Sequence, residues 1–310
     1  MAKVVTQRIQ TEKQLRLYKR AVDASSSGVV IADITWPDMP VTYVNYAFER
    51  LTGYSSDEAI GHNCRFLQGT ERDELAIKQI RHAIAARQEC SVVLKNYRKD
   101  GSIFWNNLYL APVPDEQGAI THYIGIQTDI TAQKNYEQEL AYNASYDLLT
   151  GLPNRSLLKD RLTQSCKISA RHQEKVAVLF IDLDGFKDVN DVHGHDIGDE
   201  LLLMLAKILQ DAVRKSDTVA RFGGDEFVVL LTGLLSRDDA AIVAEKILHN
   251  VSEPITLSVG EVQVGASIGI AVYPYDGTDS AKLLKVADSL MYRIKQQGKN
   301  QYCFSRAVFS

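Results

Sequence analysis

The strongest constraint on the fold is a change in the residue pattern near position 146. Before it, five short runs of strand-forming residues are separated by turn sequences such as "KDGS" and "DEQG". This spacing predicts a five-stranded antiparallel sheet with a few helices. After it, strand-like runs alternate with amphipathic runs, which predicts an α/β or α+β sheet domain. A chain of 310 residues can form two such domains with separate cores, so we expect an α+β protein overall.

Two helical segments are expected beside these domains. The first has apolar residues at helical spacing near the N-terminus, which predicts an amphipathic helix. The second, "TAQKNYEQELAYNASY" at 131–146, contains no Gly or Pro and places Tyr136, Leu140 and Asn143 on one side of a helix. This thin stripe fits either a solvated helix or a short parallel coiled coil. The predicted division is an N-terminal helix at 1–20, a first domain at 21–131, a helical linker at 132–146 and a second domain at 147–310.

The net charge, the apolar runs and the cysteines of the chain argue against several classes of protein. A net charge of -4 argues against general binding to nucleic acid or to an anionic membrane. The longest apolar runs, "VAVLFI" and "LLLML", are too short to cross a bilayer, and the N-terminus lacks the apolar core of a signal peptide. We therefore expect a cytoplasmic protein. The four cysteines are scattered without a CxxC pair, so neither zinc nor a disulfide framework is expected.

Carboxylates cluster at the ends of strand-like runs in the second domain. Asp182 and Asp184 end the run "KVAVLFIDLD", and Asp225 and Glu226 follow the glycine pair of "RFGGDEF". The ends of strands in open sheets commonly bind ligands. Carboxylates from two neighbouring strands suit Mg²⁺, which prefers oxygen ligands together with substrate phosphates. An acidic hairpin tip in water is the simpler alternative for "GGDEF" alone.

The region from "DLLTGLPNR" at 147 to "GKN" near 300 resembles the GGDEF family of diguanylate cyclases. The matching stretches are "FIDLDGFKDVNDVHGHDIGDELL", "RKSDTVARFGGDEF", "SIGIAVYP" and "ADSLMYRIKQQGKN", in that order. The resemblance implies an enzyme that condenses two GTP molecules into cyclic di-GMP and two pyrophosphates. Because each domain would hold one GTP, it also implies a homodimer whose two domains face each other.

The resemblance implies roles for individual residues of this domain. Two Mg²⁺ ions at each GTP site would be bound by Asp182, Asp225 and the backbone carbonyl of Leu183, and Glu226 would be a further metal ligand or the general base. Asn190 and Asp199 would read the guanine edge. The remaining GTP-binding residues would be Lys187, Gly223, Gly224, Arg221, Lys295 and Lys299.

The chain departs from the family at one of these positions, and it has one further motif of the family. Family members often have arginine where Lys299 stands, and lysine lacks the bidentate fork that grips a phosphate. Arg214 and Asp217 in "RKSD" match the RxxD motif through which cyclic di-GMP, as product, inhibits these enzymes. A surface ion pair is the alternative for that motif.

In the first domain, Cys64 lies among polar residues in "GHNCRFLQG". A structural buried thiol is the commonest fate of a single cysteine. However, Asn63, Arg65 and Gln68 would be costly to bury without polar partners, whereas a phosphate-bearing ligand would satisfy all three. Arg81 would join Arg65 in binding that phosphate. The strand residues Asn96, Asn106 and Gln127 could then read the edge of a heterocycle.

This arrangement resembles the LOV class of PAS domains, which bind FMN and respond to blue light. The stretches "GHNCRFLQG", "IRHAI", "NYRKDGSIFWNNLYLAPV" and "YIGIQTDIT" occur in order between 21 and 131. The resemblance implies that light joins the Cys64 sulfur to flavin C4a in a reversible covalent adduct and protonates N5. The amides of Asn63, Gln68, Asn96, Asn106 and Gln127 would hydrogen-bond the cofactor. A PAS fold without flavin is the alternative.

The two resemblances together suggest how the domains cooperate. Protonation of N5 would rotate the amide of Gln127, which lies four residues before Thr131. The sequence "DIT" then leads into the predicted linker helix, which would change the geometry of the paired cyclase domains. We therefore interpret the chain as a blue-light-regulated diguanylate cyclase. The alternative is a light-sensing scaffold whose cyclase-like domain only binds GTP or cyclic di-GMP.

Overall fold

The computed structural model describes the backbone of residues 2–69, 73–172 and 174–305, with side chains from residue 8 onwards. Residue 1 of the predicted N-terminal helix, residues 70–72 and 173 within the predicted domains and the last five residues of the chain lie outside this description. The chain divides into two compact units, Met1–Gln138 and Glu139–Ser310. None of the described helices is both long and apolar enough to span a bilayer.

The N-terminal unit is built on a five-stranded antiparallel sheet, as the sequence predicts. The strands are β1 (Gly28–Asp33), β2 (Val41–Val44), β3 (Cys90–Tyr97), β4 (Ile103–Pro114) and β5 (Ile120–Asp129). Their spatial order is β2-β1-β5-β4-β3. The helices are α1 (Ala2–Asp23), α2 (Tyr46–Thr52), α3 (Ser56–Ala59) and α4 (Glu74–Ala86), and a short 3₁₀ helix covers Cys64–Gln68.

A buried asparagine joins the first elements of this unit. Asn45 Oδ1 accepts hydrogen bonds from the backbone amides of Val29 at 2.8 Å and Phe48 at 2.9 Å. Its Nδ2 donates to the carbonyls of Val22, at the end of α1, and Ser27, just before β1. Asn45 therefore caps α2 and fixes it against β1. The core on this side of the sheet contains Val30, Val41, Val44, Phe48, Ala59 and Leu67.

Helix α5 (Thr131–Asn143) follows β5 almost directly. Its first turn is fixed by side chains, since Thr131 Oγ1 accepts from the Trp105 amide at 2.8 Å and Asp129 Oδ1 accepts from the Thr131 amide at 2.8 Å. No residue of α5 is buried. Tyr136 and Leu140 are 67% and 69% exposed, so the predicted apolar stripe faces outward in the single chain.

The C-terminal unit contains a second five-stranded sheet, in the order β12-β11-β6-β8-β7. Its strands are β6 (Lys175–Asp184), β7 (Thr218–Gly223), β8 (Glu226–Leu234), β11 (Gly265–Tyr273) and β12 (Gln301–Phe304), with a small hairpin of β9 (Ile255–Leu257) and β10 (Gly260–Val262). The helices are α6 (Arg155–His172), α7 (Phe186–His193), α8 (His195–Ala212), α9 (Asp238–Ser252) and α10 (Ser280–Gln296). Strand β12 pairs parallel to β11, and the other pairs are antiparallel.

The central strand β6 is buried on both faces, which explains its continuous apolar run. Alternate residues point to opposite sides of the sheet. Ala177, Leu179, Ile181 and Leu183 join the core beneath α8 and α9, whereas Val176, Val178 and Phe180 join the core beneath α6 and α10. This mixed layer architecture confirms the predicted α/β-type second domain. Helix α6, strand β12 and the β9–β10 hairpin are additions that the sequence analysis does not foresee.

Candidate functional sites

The N-terminal unit contains a cavity of about 300 Å³ between the sheet, the Cys64–Gln68 helix and α4. Its apolar lining includes Val30, Leu94 and Leu108 from the sheet and Ile77 and Ile80 from α4. The predicted flavin-site residues all line this one cavity: Asn63, Cys64, Arg65, Gln68, Arg81, Asn96, Asn106 and Gln127. An apolar cavity of this size with a few polar groups is typical of a small-molecule site.

Cys64 begins the short 3₁₀ helix, whose N-cap is Asn63. Asn63 Oδ1 accepts from the Arg65 amide at 3.0 Å and so fixes the turn that carries the thiol. Cys64 is half-buried and lines the cavity. Burial raises the pKa of the thiol to about 12, although a hydrogen bond from Gln127 Nε2, 3.7 Å from Sγ, partly opposes the shift. Cys64 is therefore a neutral thiol at physiological pH.

This protonation state gives a direct test. In the dark, we expect iodoacetamide to modify Cys64 about a thousandfold more slowly at pH 8 than in the unfolded chain, because thiolate is the reactive form and burial raises the pKa of this thiol to about 12. The rate should rise as pH increases towards 12. Peptide mass spectrometry of the folded and guanidinium-unfolded protein measures both rates. Equal rates at pH 8 would contradict the burial of this thiol.

Three amide side chains on neighbouring strands form a polar wall of the cavity. Asn96, Asn106 and Gln127 come from β3, β4 and β5 and are at most 4% exposed. Asn106 Nδ2 donates to Asn96 Oδ1 at 2.8 Å. Asn106 Oδ1 and Gln127 Oε1 are buried without a hydrogen-bond partner among the described residues. A buried polar atom left unpaired costs about 1–3 kcal/mol, so this wall suits a ligand that donates hydrogen bonds.

The predicted phosphate-binding arginines lie at the edge of the same cavity. Arg81 is on α4, and Arg65 is on the Cys64 helix. The side chain of Arg65 is 58% exposed, so it is not buried around the thiol. Its Nη2 atom lies 2.8 Å from Asp38 Oδ1. The sequence does not predict this contact between Arg65 and Asp38, because 27 residues separate them in the chain.

In the C-terminal unit, the predicted catalytic carboxylates meet at one end of the sheet. Asp182 on β6 pairs in register with Glu226 on β8, and Asp225 immediately precedes β8. Asp182 is 4% exposed. Burial raises its pKa to about 6, with further increases from Asp225 and Glu226 that Lys295 opposes. Burial and the carboxylates of Asp288 and Asp225 likewise raise the pKa of Glu226. Negative charge at this edge is therefore incompletely compensated.

Lys295 reaches this edge from α10. Its Nζ lies 2.5 Å from Asp182 Oδ1, yet that oxygen has no partner with hydrogen-bond geometry among the described residues. Burial disfavours the charged amine, but Asp182 and the other carboxylates nearby outweigh this and raise the pKa of Lys295. No three acidic, histidine or cysteine side chains form a metal-binding group within the described parts of the chain. The predicted metal site is not a group of that type, because its ligands are two carboxylates and a backbone carbonyl.

The glycine pair lies at the β7–β8 turn. Gly224 has a φ of +51°, a left-handed conformation that favours glycine. Arg221 Nε and Nη2 both donate to the Gly224 carbonyl, at 2.9 and 2.8 Å. Arg221 Nη1 also lies 3.1 Å from Asp147 Oδ1, in a pair whose side chains are 13% and 24% exposed. The structure thus engages Arg221, predicted to bind phosphate, in bracing the turn.

This brace leads to a prediction about two variants. Arg221→Ala should lower the free energy of unfolding by about 2 kcal/mol, because it leaves a half-buried carboxylate without its charged partner. We expect Asp147→Asn to reproduce part of this loss, since the Asp147 carboxylate holds Arg221 against the turn. Chemical denaturation measures both effects. If Asp147→Asn leaves the free energy of unfolding unchanged, the ion pair does not stabilise the turn.

The two residues predicted to read guanine lie on consecutive helices. Asn190 is on α7 and Asp199 is on α8. The Asn190 side chain lies directly over Gly198, where a Cβ atom would be 2.0 Å from its Oδ1. Asn190 Oδ1 is also buried without a partner among the described residues. Gly198 therefore holds open the space for Asn190 beside Asp199, a role that sequence reasoning misses.

The remaining predicted residues are on the surface of this unit. Lys187 is exposed on the first turn of α7, and Lys299 is exposed just after α10 with a φ of +62°. Arg214 is exposed, whereas Asp217 is half-buried. The Asp217 carboxylate accepts from the backbone amides of Arg214 and Thr232. Asp217 thus shapes the turn before β7 while its neighbour Arg214 faces solvent.

Two protein-family models match the chain. The family described as "Diguanylate cyclase, GGDEF domain" matches residues 144–301, and a PAS domain family matches residues 26–132. Because the first match covers half of the chain, this protein belongs to the GGDEF domain family. It carries a PAS/LOV-type domain ahead of the GGDEF domain.

Individual relatives agree with this architecture. The bifunctional diguanylate cyclase/cyclic di-GMP phosphodiesterase MucR of Pseudomonas aeruginosa is 48% identical over 174 residues, which are 56% of this chain and 25% of MucR. A blue-light photoreceptor of Listeria monocytogenes is 42% identical over 127 residues, which are 41% of this chain and 50% of that protein. The chain thus spans a quarter to a half of these relatives. The crystal structure of the GGDEF domain of TpbB from P. aeruginosa has a TM-score of 0.50 and 42% identity, covering 51% of this chain and 98% of that one.

Proposed function

We propose that this protein is a blue-light-regulated diguanylate cyclase that acts as a cytoplasmic homodimer. The observation that carries the proposal is the position of Cys64 in a cavity beside Gln127, whose buried amide oxygen has no partner among the described residues. A neutral thiol facing unsatisfied amides suits a planar polar heterocycle. The similarity to a blue-light photoreceptor and to diguanylate cyclases supports the same assignment.

The cavity would bind FMN. The amides of Asn63, Gln68, Asn96, Asn106 and Gln127 would hydrogen-bond its ring or ribityl chain, and Arg65 and Arg81 would bind its phosphate. The flavin would supply an excited state that accepts a covalent bond from the Cys64 sulfur under blue light. Cys64 would contribute both the sulfur and a proton, since burial keeps its thiol neutral.

A change at Cys64 has a short route to helix α5. Gln127 donates its hydrogen bond to Cys64 Sγ, so engagement of that sulfur changes the partner of the amide. Two residues later, Asp129 bonds the Thr131 amide and pairs with Arg98 Nη2 at 2.7 Å. Rotation of Gln127 in β5 would therefore act on the first turn of α5 through Asp129 and Thr131. Paired α5 helices would carry the change to the cyclase domains.

The GGDEF domain would condense two GTP molecules into cyclic di-GMP. Asp182, Asp225 and the Leu183 carbonyl would bind two Mg²⁺ ions with the triphosphate, and these cations would compensate the charge at an edge where burial raises the pKa of Asp182. Magnesium would stabilise the charge that develops on the phosphoryl group. Glu226, with a raised pKa, suits a metal ligand or a general base for the attacking hydroxyl.

Substrate recognition would use the surrounding residues. Asn190 and Asp199 would bind the guanine edge, supported by the unpartnered oxygen of Asn190. Phosphates would contact Lys187, Lys295, Lys299, and the open glycine turn at Gly223, Gly224 and Arg221. Arg214 and Asp217 would bind cyclic di-GMP as an inhibitor, with the exposed guanidinium as the main contact.

A turnover assay tests the enzymatic part of the proposal. The full chain is incubated with GTP and Mg²⁺, in darkness and under blue light, and cyclic di-GMP is quantified by chromatography and mass spectrometry. We expect product in at least one condition. Binding of GTP without product in either condition would instead support a light-sensing scaffold.

A further inference from the structure

The loop between β1 and β2 forms one rim of the cavity. Ile34 and Met39 from this loop line it. Asp38 and Met39 have φ values of +69° and +50°, in a left-handed region that residues other than glycine rarely adopt. Neighbouring structure must therefore hold the loop in this conformation.

Two residues of the cysteine-bearing turn hold the loop. Asn63 Nδ2 donates to the carbonyl of Asp38, and Arg65 Nη2 lies 2.8 Å from Asp38 Oδ1. Asn63 and Arg65 also line the cavity themselves. Arg65 thus pairs with a carboxylate of the rim and also lines the cavity where a ligand phosphate would bind.

We propose that Asp38 tunes the preference of this cavity for phosphorylated over unphosphorylated flavins, by competing with the flavin phosphate for Arg65. This inference rests on the proposed flavin site. Carboxylate and phosphate oxygens accept hydrogen bonds from the same guanidinium N–H groups. When both are present, Arg65 is shared and the two anions repel each other, so Asp38 weakens FMN binding.

The exposure of the pair makes this exchange feasible. The side chains of Arg65 and Asp38 are 58% and 66% exposed, and an ion pair in that environment is readily exchanged for another partner. Riboflavin has no phosphate and leaves the Arg65–Asp38 pair intact. Its affinity should therefore not depend on the charge of Asp38.

The variant Asp38→Asn isolates the charge. Asparagine keeps the shape of the side chain and the backbone carbonyl that Asn63 bonds, and it tolerates a positive φ better than most residues. Asp57→Asn is a matched control, because Asp57 is an exposed carboxylate on α3 outside the cavity lining.

The experiment measures dark dissociation constants of FMN and riboflavin for the full chain, by quenching of flavin fluorescence. In Asp38→Asn, we expect FMN to bind about fivefold more tightly, with riboflavin unchanged, and the gain to shrink in high salt. Asp57→Asn should match the wild type. The gain should also disappear when Arg65→Gln is added, because the competed group is then absent.

Four results would overturn the inference. FMN affinity could fall in Asp38→Asn, which would mean that Asp38 orients Arg65 for the phosphate. Both flavins could change equally, which would make the effect one of loop conformation. A wild-type protein that binds neither flavin would remove the proposed function itself, whereas wild-type FMN binding without a gain in Asp38→Asn would remove only this inference.

Discussion

Cys64→Ala is expected to bind flavin in the dark as the wild type does and to lose its light-induced bleaching of blue absorbance completely. The hydrogen bond between Asn96 and Asn106 does not involve the sulfur, so the cavity should keep these two amides in place and still bind the ring. Without the thiol, however, no atom of the chain at this position can form the covalent bond. Absorption spectra before and after illumination, and during recovery in the dark, measure the effect.

A second cysteine provides the control. Cys303 is half-buried on β12 in the C-terminal unit, where its sulfur contacts Arg293 and the Leu290 carbonyl. Cys303→Ala should therefore bleach and recover like the wild type. If Cys64→Ala kept the reversible loss of blue absorbance, the photochemical role of this thiol would be wrong.

The second large effect is expected at the carboxylate edge. The double variant Asp225→Asn and Glu226→Gln should reduce cyclic di-GMP formation by about three orders of magnitude, the scale on which removal of a transition-state electrostatic group acts. Both substitutions keep side-chain shape but remove the charge that would bind metal and accept the proton of the attacking hydroxyl. Flavin absorbance and its response to light should stay as in the wild type.

Asp191→Asn is the matched control, because Asp191 is an exposed carboxylate on α7. It should leave turnover near the wild-type value. Thermal unfolding distinguishes lost chemistry from lost folding, since the isosteric substitutions should not lower stability. Retention of turnover in the double variant would rule out the metal and base assignments of Asp225 and Glu226.

Local sequence predicts the elements and residues that short motifs specify. Alternate residues of the strand that ends in Asp182 and Asp184 pack into two different apolar cores. Because both faces of this strand are buried, its sequence is a continuous apolar run, which predicts a central strand. Likewise, the glycine pair before Asp225 predicts a turn, and the structure has a turn there in which Gly224 adopts a positive φ. The amides of Asn106 and Gln127 could be assigned to strands from their flanking residues, and both face the cavity.

Contacts between distant residues are what the sequence does not predict. Arg221 could be interpreted as a phosphate ligand, because its partner Asp147 lies 74 residues away and nothing local indicates the brace. Likewise, nothing in the sequence near Arg65 indicates its ion pair with Asp38, which lies 27 residues earlier in the chain. Helix α6 was missed because only Leu158, Leu162, Cys166 and Ser169 are buried along a mostly polar segment.

The central claim is that bond formation at Cys64 changes the rate of cyclic di-GMP synthesis in the same chain. The most direct measurement compares initial rates of cyclic di-GMP formation in darkness and under blue light, for the wild type and for Cys64→Ala at equal flavin loading. The account predicts that light changes the wild-type rate and leaves the rate of Cys64→Ala unchanged. Equal wild-type rates in both conditions, or a light response that survives in Cys64→Ala, would contradict it.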